Sequence, residues 1–126
     1  MKLQDVIKNR EKILDMGNSI GNNIIENVDV NIVAHFGNLT CFEIVCRNVC
    51  PMSGYNNTQR LGFLLKAFVE LFDLSEEDGL RLSEIKNIPC RLVFEGKDEW
   101  GSRCIGFGNF MKDKFVLTED FVKIDE

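Results

Sequence analysis

Two polar stretches of the chain hold the side chains best suited to grip an anion. Tyr55-Asn56-Asn57-Thr58-Gln59-Arg60 leads into the start of an apolar helical pattern. Backbone N–H groups at a helix start favour anions, and Arg60 adds a fork of donors. Trp100-Gly101-Ser102-Arg103 is followed by Gly106, Asn109 and Phe110, and holds the chain's only Trp. Aromatic rings stack on a base, while a guanidinium and a carboxamide hold a phosphate. The candidate ligand contacts are therefore Trp100, Arg103, Asn109, Phe110, Arg60, Asn57 and Tyr55. Either stretch read alone is also an ordinary loop or edge strand.

The residues that usually run reactions do not converge in the sequence. His35 is the only histidine, so any Cys-His or Ser-His pair would have to use it. It falls on the polar face of an alternating segment, where a solvated imidazole is the plainer reading. The five cysteines are Cys41, Cys46, Cys50, Cys90 and Cys104, and no pair has the CxxC spacing of a zinc or redox site. Acids cluster as Glu76-Glu77-Asp78, Asp98-Glu99, Glu119-Asp120 and Asp125-Glu126, which reads as solvated surface. Gly106-Phe107-Gly108 lacks the third glycine of a dinucleotide fingerprint and opens no helix. Two readings of it stand: a closely packed or kinked strand, or a backbone left bare for a ligand. We expect no catalytic residues, no metal ligands and no cofactor.

The elements that would carry these residues follow from periodicity. Leu3, Val6, Ile7, Ile13 and Leu14 fall at helical spacing among charged residues, which predicts an amphipathic N-terminal helix closed by Gly17-Asn18. Gly21-Asn22-Asn23 reads as a polar linker. From Val28 the period becomes two, with Val28, Val30, Ile32, Ala34 and Phe36 on one face. Gly37-Asn38 turns the chain into a second strand carrying Phe42, Ile44 and Cys46. Residues 50–57 read as a loop, and Thr58 as the cap of a long apolar helix from Leu61 to Phe72. Ser75-Glu76-Glu77-Asp78 resembles a capping box. Three further strands are expected around Cys90–Phe94, Arg103–Phe110 and Lys114–Leu117, then a final turn capped by Thr118. The expected fold is α+β: an antiparallel sheet of about five strands packed by one long apolar helix, with helices on one side. The expected organisation is one domain over 1–126, with 1–20 as a helical extension and 25–126 as the core.

Composition narrows the classes of function. A chain of 126 residues has the size of one domain and can hold a core without staples. The net charge of −5 counts against a general nucleic-acid binder, whose affinity comes from Lys and Arg on phosphates. It leaves room for a local basic pocket or for docking on a basic partner. The odd cysteine count and the charged opening segment favour free thiols in a reducing cytoplasm. No stretch approaches the roughly 20 apolar residues of a membrane span.

The segments "VDVNIVAHFGNLTCFEI", "LSEIKNIPCRLVFEG" and "WGSRCIGFGNFMKDKF" resemble small proteins of phages and prophages, over most of residues 27–117. Within that pool the chain resembles the phage-encoded anti-Thoeris sponges. The resemblance implies a non-enzymatic cytoplasmic protein of the infected bacterium that sequesters a cyclic ADP-ribose-type signal, or a cyclic oligonucleotide. It also implies a homodimer or higher homo-oligomer with pockets near subunit contacts. Trp100, Arg103, Asn109 and Phe110 would carry the ligand. Two other classes compete: a phage single-stranded DNA-binding protein with an OB-like groove, and an acidic protein inhibitor of a host enzyme.

Overall fold

A computed structural model describes residues 3–33, 39–57, 61–74, 85–96 and 103–123. In chain order the elements are α1 (Leu3–Val6), α2 (Arg10–Asp15), β1 (Ser19–Val33), β2 (Leu39–Cys46), β3 (Met52–Asn57), α3 (Leu61–Phe72), β4 (Ile88–Phe94), β5 (Cys104–Asn109), β6 (Phe115–Leu117) and α4 (Thr118–Lys123). The strands form one sheet in the order β3-β2-β1-β4-β5-β6, antiparallel throughout. The α+β class and the antiparallel sheet stand as the pattern implied.

The strand β1 organises the sheet. Its first half, Ser19–Ile25, pairs with β4, and its second half, Ile25–Val33, pairs with β2. The register shifts between Ile25 and Asn27, so the exposed Glu26 is an extra residue where the strand bends. The expected linker at Gly21-Asn22-Asn23 is thus strand, as are Ser19 and Ile20 before it. Polar residues are tolerated here because Asn23 extends the ladder with its own amide. Asn23 Oδ1 accepts from the backbone N–H of Arg47 at 3.0 Å, and its Nδ2 donates to the Arg47 carbonyl at 3.0 Å.

Several expectations change. The described residues form six strands rather than about five, because Met52–Asn57 is an edge strand and not a loop. Its ladder to β2 runs from Ile44↔Met52 to Leu39↔Asn57. Backbone pairing suffices for an edge strand, and only Met52 needs to be buried among its described side chains. The N-terminal helix is two short pieces. They are parted at Lys8, whose backbone bridges to Phe115 in both directions at 2.8 Å. The apolar helix α3 forms over the expected residues Leu61–Phe72, but at twelve residues, with Ala67, Phe68 and Leu71 buried, it is not the long helix expected to pack across the sheet. Phe68 stacks on Phe107 of β5 at 5.2 Å between centroids, and Phe72 lies 6.3 Å from the same ring. The Thr58 cap and the Ser75–Asp78 capping box lie outside the described residues.

Packing occurs on both faces of the sheet rather than one. The main core joins Phe42, Ile44, Leu92, Phe94 and Phe107 with α3. On the opposite face Ile13 of α2 covers Val93, Phe115 and Leu117. In β5 the register shift opposite Val93 and Phe94 lets Ile105 join this second cluster while Cys104 and Phe107 stay in the first. Residues of β3 come within 8 Å, Cα to Cα, of β5 and of α4. The sheet therefore curls until its two ends nearly meet, and α4 stands in the seam.

Candidate functional site

A groove of about 550 Å³ opens at that seam. Buried Phe42, Met52 and Leu117 give it an apolar floor. Asn18, Ser53 and Thr118 add polar groups, and Glu95, Arg103 and Glu119 bring charge. The side chain of Arg103 is 76% exposed and lies 3.4 Å from the Glu95 carboxylate, itself 61% exposed. Below this pair the backbone N–H of Glu95 donates to the Arg103 carbonyl at 2.9 Å, closing the base of the β4–β5 connection. The volume falls in the ordinary range for a small-molecule site.

Two groups in the groove that could act as nucleophiles, Cys104 and Thr118, are restrained. Burial pushes the Cys104 thiol up to about 12, so at neutral pH it is protonated and a poor nucleophile. The Thr118 hydroxyl donates to the Ile105 carbonyl at 3.0 Å. Among the described residues, no group of three or more His, Cys, Asp or Glu side chains gathers in a form that could hold a metal. No described helix is long and apolar enough to cross a membrane.

Of the seven residues nominated from sequence, Arg103 lines this groove. Trp100 and Arg60 lie outside the described residues, as does His35. Tyr55 and Asn57 are placed by their backbones on β3, opposite Cys41 and Leu39. Asn109 and Phe110 stand at the other end of β5 from Arg103, roughly 20 Å away at about 3.3 Å per strand residue. A single chain thus does not bring Arg103 together with Asn109 and Phe110. The amide of Asn109 serves the protein's own backbone. Its Oδ1 accepts from the N–H groups of Met111 at 2.7 Å and Lys112 at 2.8 Å, and its Nδ2 donates to the Leu71 carbonyl. This shapes the β5–β6 turn and ties it to the end of α3. Phe110 is 40% exposed at the tip of that turn, beside Met111 at 82%.

The glycines of β5 answer the earlier alternative in favour of packing. A Cβ on Gly106 would stand 2.6 Å from the Val116 carbonyl oxygen, and one on Gly108 would meet the Lys114 carbonyl and the Phe115 ring. These bare positions are occupied by the neighbouring strand β6.

Every groove residue but Arg103 was missed as a ligand contact, Met52, Ser53, Glu95 and Glu119 among them. Met52 and Ser53 were masked by the loop-like run Pro51 to Asn57. Glu95 carried a usable signal: it and Arg103 flank the predicted turn after Gly96, so a hairpin there sets them side by side. No protein-family model matches this chain, and neither a curated protein nor a solved structure does.

Proposed function

We propose that this chain is a non-enzymatic protein that binds and sequesters a small nucleotide, of the cyclic ADP-ribose or cyclic oligonucleotide class, as a phage counter to a bacterial immune signal. The observation that carries the reading is Arg103 on the rim of the groove at the seam. There a guanidinium suited to phosphate shares the groove lining with the apolar side chains of Phe42, Met52 and Leu117, which suit a base or ribose. Trp100, three residues before Arg103, belongs to the same connection. The protonated Cys104 thiol and the engaged Thr118 hydroxyl support holding rather than turnover. The chain works as a homo-oligomer in this reading, which lets the exposed Phe110 of one copy approach the Arg103 end of another.

The test is a thermal-shift screen of the purified protein against cyclic ADP-ribose isomers and cyclic di- and trinucleotides. Mass spectrometry of the recovered ligand accompanies it. A ligand at a hundred times its Kd adds about 2.7 kcal/mol to stability and raises Tm. The ligand returns chemically unchanged. A flat screen, or a ligand returned as a hydrolysis product, defeats the reading.

A second reading is favoured by connectivity. A long first strand is shared between β4 and β2, α3 lies between β3 and β4, and β3 folds back toward β5. This order supports a partly open Greek-key barrel of the oligonucleotide-binding type, to which β6 is an addition. Such barrels hold single strands on the β2–β3 face and on the connections after β1 and β4. Tyr55 and Asn57 are placed by their backbones on β3, one of the two strands of that face. The net charge of −5 opposes this reading. A poly-dT gel shift at low salt separates the two, with binding that fades steeply as salt rises assigning the chain to single-stranded DNA.

A further inference from the structure

The groove draws part of its lining from two pieces of chain that lie far apart in sequence. Met16 and Asn18 come from the end of the N-terminal segment, and Thr118 and Glu119 from the first turn of α4. The same N-terminal segment reaches α4 directly. Lys8, between α1 and α2, places its Nζ 2.6 Å from Asp120 Oδ2, and both side chains are largely buried. Resting on the groove as the ligand site, we propose that α4 is the gate of the groove and that Lys8 is the positioning residue that latches it through Asp120.

The two pieces are held with unequal firmness. The backbone of Lys8 exchanges two hydrogen bonds with Phe115, each at 2.8 Å. Asn9 then caps α2 by accepting from the Lys12 N–H at 2.8 Å, and Ile13 is fully buried over Val93, Phe115 and Leu117. From Ser19 the chain continues into the sheet. In contrast α4 has six residues, too few to hold a helix without tertiary support. It stands over the gap between β3 and β5, close to both. Thr118 ties its first residue to the Ile105 carbonyl, and Asp120, two residues on, takes Lys8. Breaking the pair leaves a carboxylate in a partly buried place, and an outward swing of α4 returns that charge to water. Such a swing moves Thr118 and Glu119 away from the lining and uncovers Cys104, which lines the same groove and is only partly buried. A ligand that touches both pieces favours the closed arrangement, and by reciprocity the closed latch favours the ligand.

Iodoacetamide labelling of the full chain at pH 8 tests this without any ligand. Cys104 reports opening of the groove, and Cys90, wholly buried in the main core, reports opening of the whole fold. Lys8→Met and Asp120→Asn are expected to label Cys104 about tenfold faster than the wild type, with Cys90 changing much less. The double variant leaves neither charge unpaired and so folds more readily than either single variant. It still lacks the latch, and its Cys104 also labels faster. Saturating cyclic ADP-ribose slows Cys104 labelling in the wild type and binds Lys8→Met more weakly. Wild-type Cys104 rates in the single and double variants overturn the proposal. So does acceleration of Cys104 and Cys90 by one common factor, which would make the pair a support of the whole fold. Both results leave the groove reading standing. Faster Cys104 labelling in the variants, with no protection by cyclic ADP-ribose, supports the gate and counts against that nucleotide as the occupant.

Discussion

The guanidinium of Arg91 lies 4.6 Å from the centre of the Phe115 ring, and that ring lies over Gly108 on the strand between them. Gly108 pairs with both: with Arg91 across the β4–β5 ladder and with Phe115 across the β5–β6 ladder. Arg91 also donates to the Asn109 carbonyl at 2.8 Å, to the Lys112 carbonyl, and to Asp113 at 3.2 Å. A single side chain thus ties β4 to the β5–β6 turn and closes the second core cluster from above. The missing side chain at Gly108 makes room for the ring that Arg91 covers.

Gly108→Ala is expected to destabilise the protein by about 1–3 kcal/mol, because its methyl group displaces both Phe115 and the Lys114 carbonyl. Arg91→Met keeps the apolar cover but strips three polar partners, at a cost of about 2 kcal/mol. Urea denaturation checks both, with the midpoint falling and the slope unchanged. A Gly108→Ala protein as stable as the wild type would show that β6 does not lie where the ladder puts it.

Asn109 and Arg103 were nominated together and should separate cleanly. Asn109→Ala removes three bonds to backbone and is expected to cost about 1–3 kcal/mol while leaving nucleotide affinity at the Arg103 groove unchanged. Arg103→Ala removes an exposed ion pair and should alter stability by less than about 0.5 kcal/mol. It should nevertheless abolish binding of any phosphate-bearing ligand that the wild type holds. Paired thermal melts and titrations of the two variants read this out, and equal effects of the two on binding would restore Asn109 as a ligand contact.

How far the sequence spoke depends on what wrote each element. Phe42, Ile44 and Cys46 of β2, and Cys90, Leu92 and Phe94 of β4, alternate because they face the main core, and both strands were legible although Val93 is buried on the other face. The segment Ser19–Asn27 was not, since its pairing rests on backbone bonds and on the Asn23 amide rather than on apolar alternation. The same holds for β3, an edge strand interrupted by Gly54. Arg103 was legible as a chemical type. Its groove was not, because the groove forms where β3 and β5 approach without a ladder between them, and local periodicity carries no trace of such a long-range seam.

The cysteines should react in two groups. Cys50 is exposed and Cys41 partly so, while Cys46 and Cys90 are buried. A hydrogen bond with Cys46, together with burial, holds the Cys90 thiol well above its ordinary value, and burial raises Cys104 to about 12. Iodoacetamide at pH 8 under native conditions is expected to label Cys50 first and Cys41 more slowly. Cys46, Cys90 and Cys104 should label only with denaturant. For Cys90 and Cys104 the reason is that the thiolate is the reacting species. For Cys46, whose pKa is lowered by its hydrogen bond with Cys90, it is that burial keeps the reagent away. Peptide mapping by mass spectrometry resolves the order. Early labelling of Cys104 would mean that the groove floor opens in solution.

Acid should weaken the clasp between α3 and the β5–β6 turn. Lys112 donates to the Asp73 carboxylate at 2.5 Å, and that bond holds Asp73 below the ordinary value of 3.8. A lowered folded-state value means that the contribution is fully present above 3.8 and is lost as pH falls through the depressed value. Stability measured from pH 6 down to pH 2 should therefore fall less steeply at its acid end in Asp73→Asn than in the wild type. Superimposable acid limbs for the two proteins would show that the Lys112–Asp73 bond does not persist in solution.

The last relationship joins the two ends of the described chain and bears on the groove. Lys8 Nζ lies 2.6 Å from Asp120 Oδ2, and the two side chains are only 17% and 14% exposed. Lys8 also donates to the Val6 carbonyl at 3.2 Å, while its backbone pairs with Phe115. Asp120 sits in the first turn of α4, next to Glu119 and two residues from Thr118, both of which line the groove. A charge left alone in such a partly buried place is penalised, so Lys8→Met should cost about 1–3 kcal/mol. Asp120→Asn should cost a comparable amount. The double variant should cost less than the sum of the two, since neither unpaired charge then remains. Amide exchange across Thr118–Lys123 should quicken in Lys8→Met before the strands do, since α4 is the element the pair holds. Strictly additive single and double variants would show that α4 is held at the seam by its apolar contacts alone.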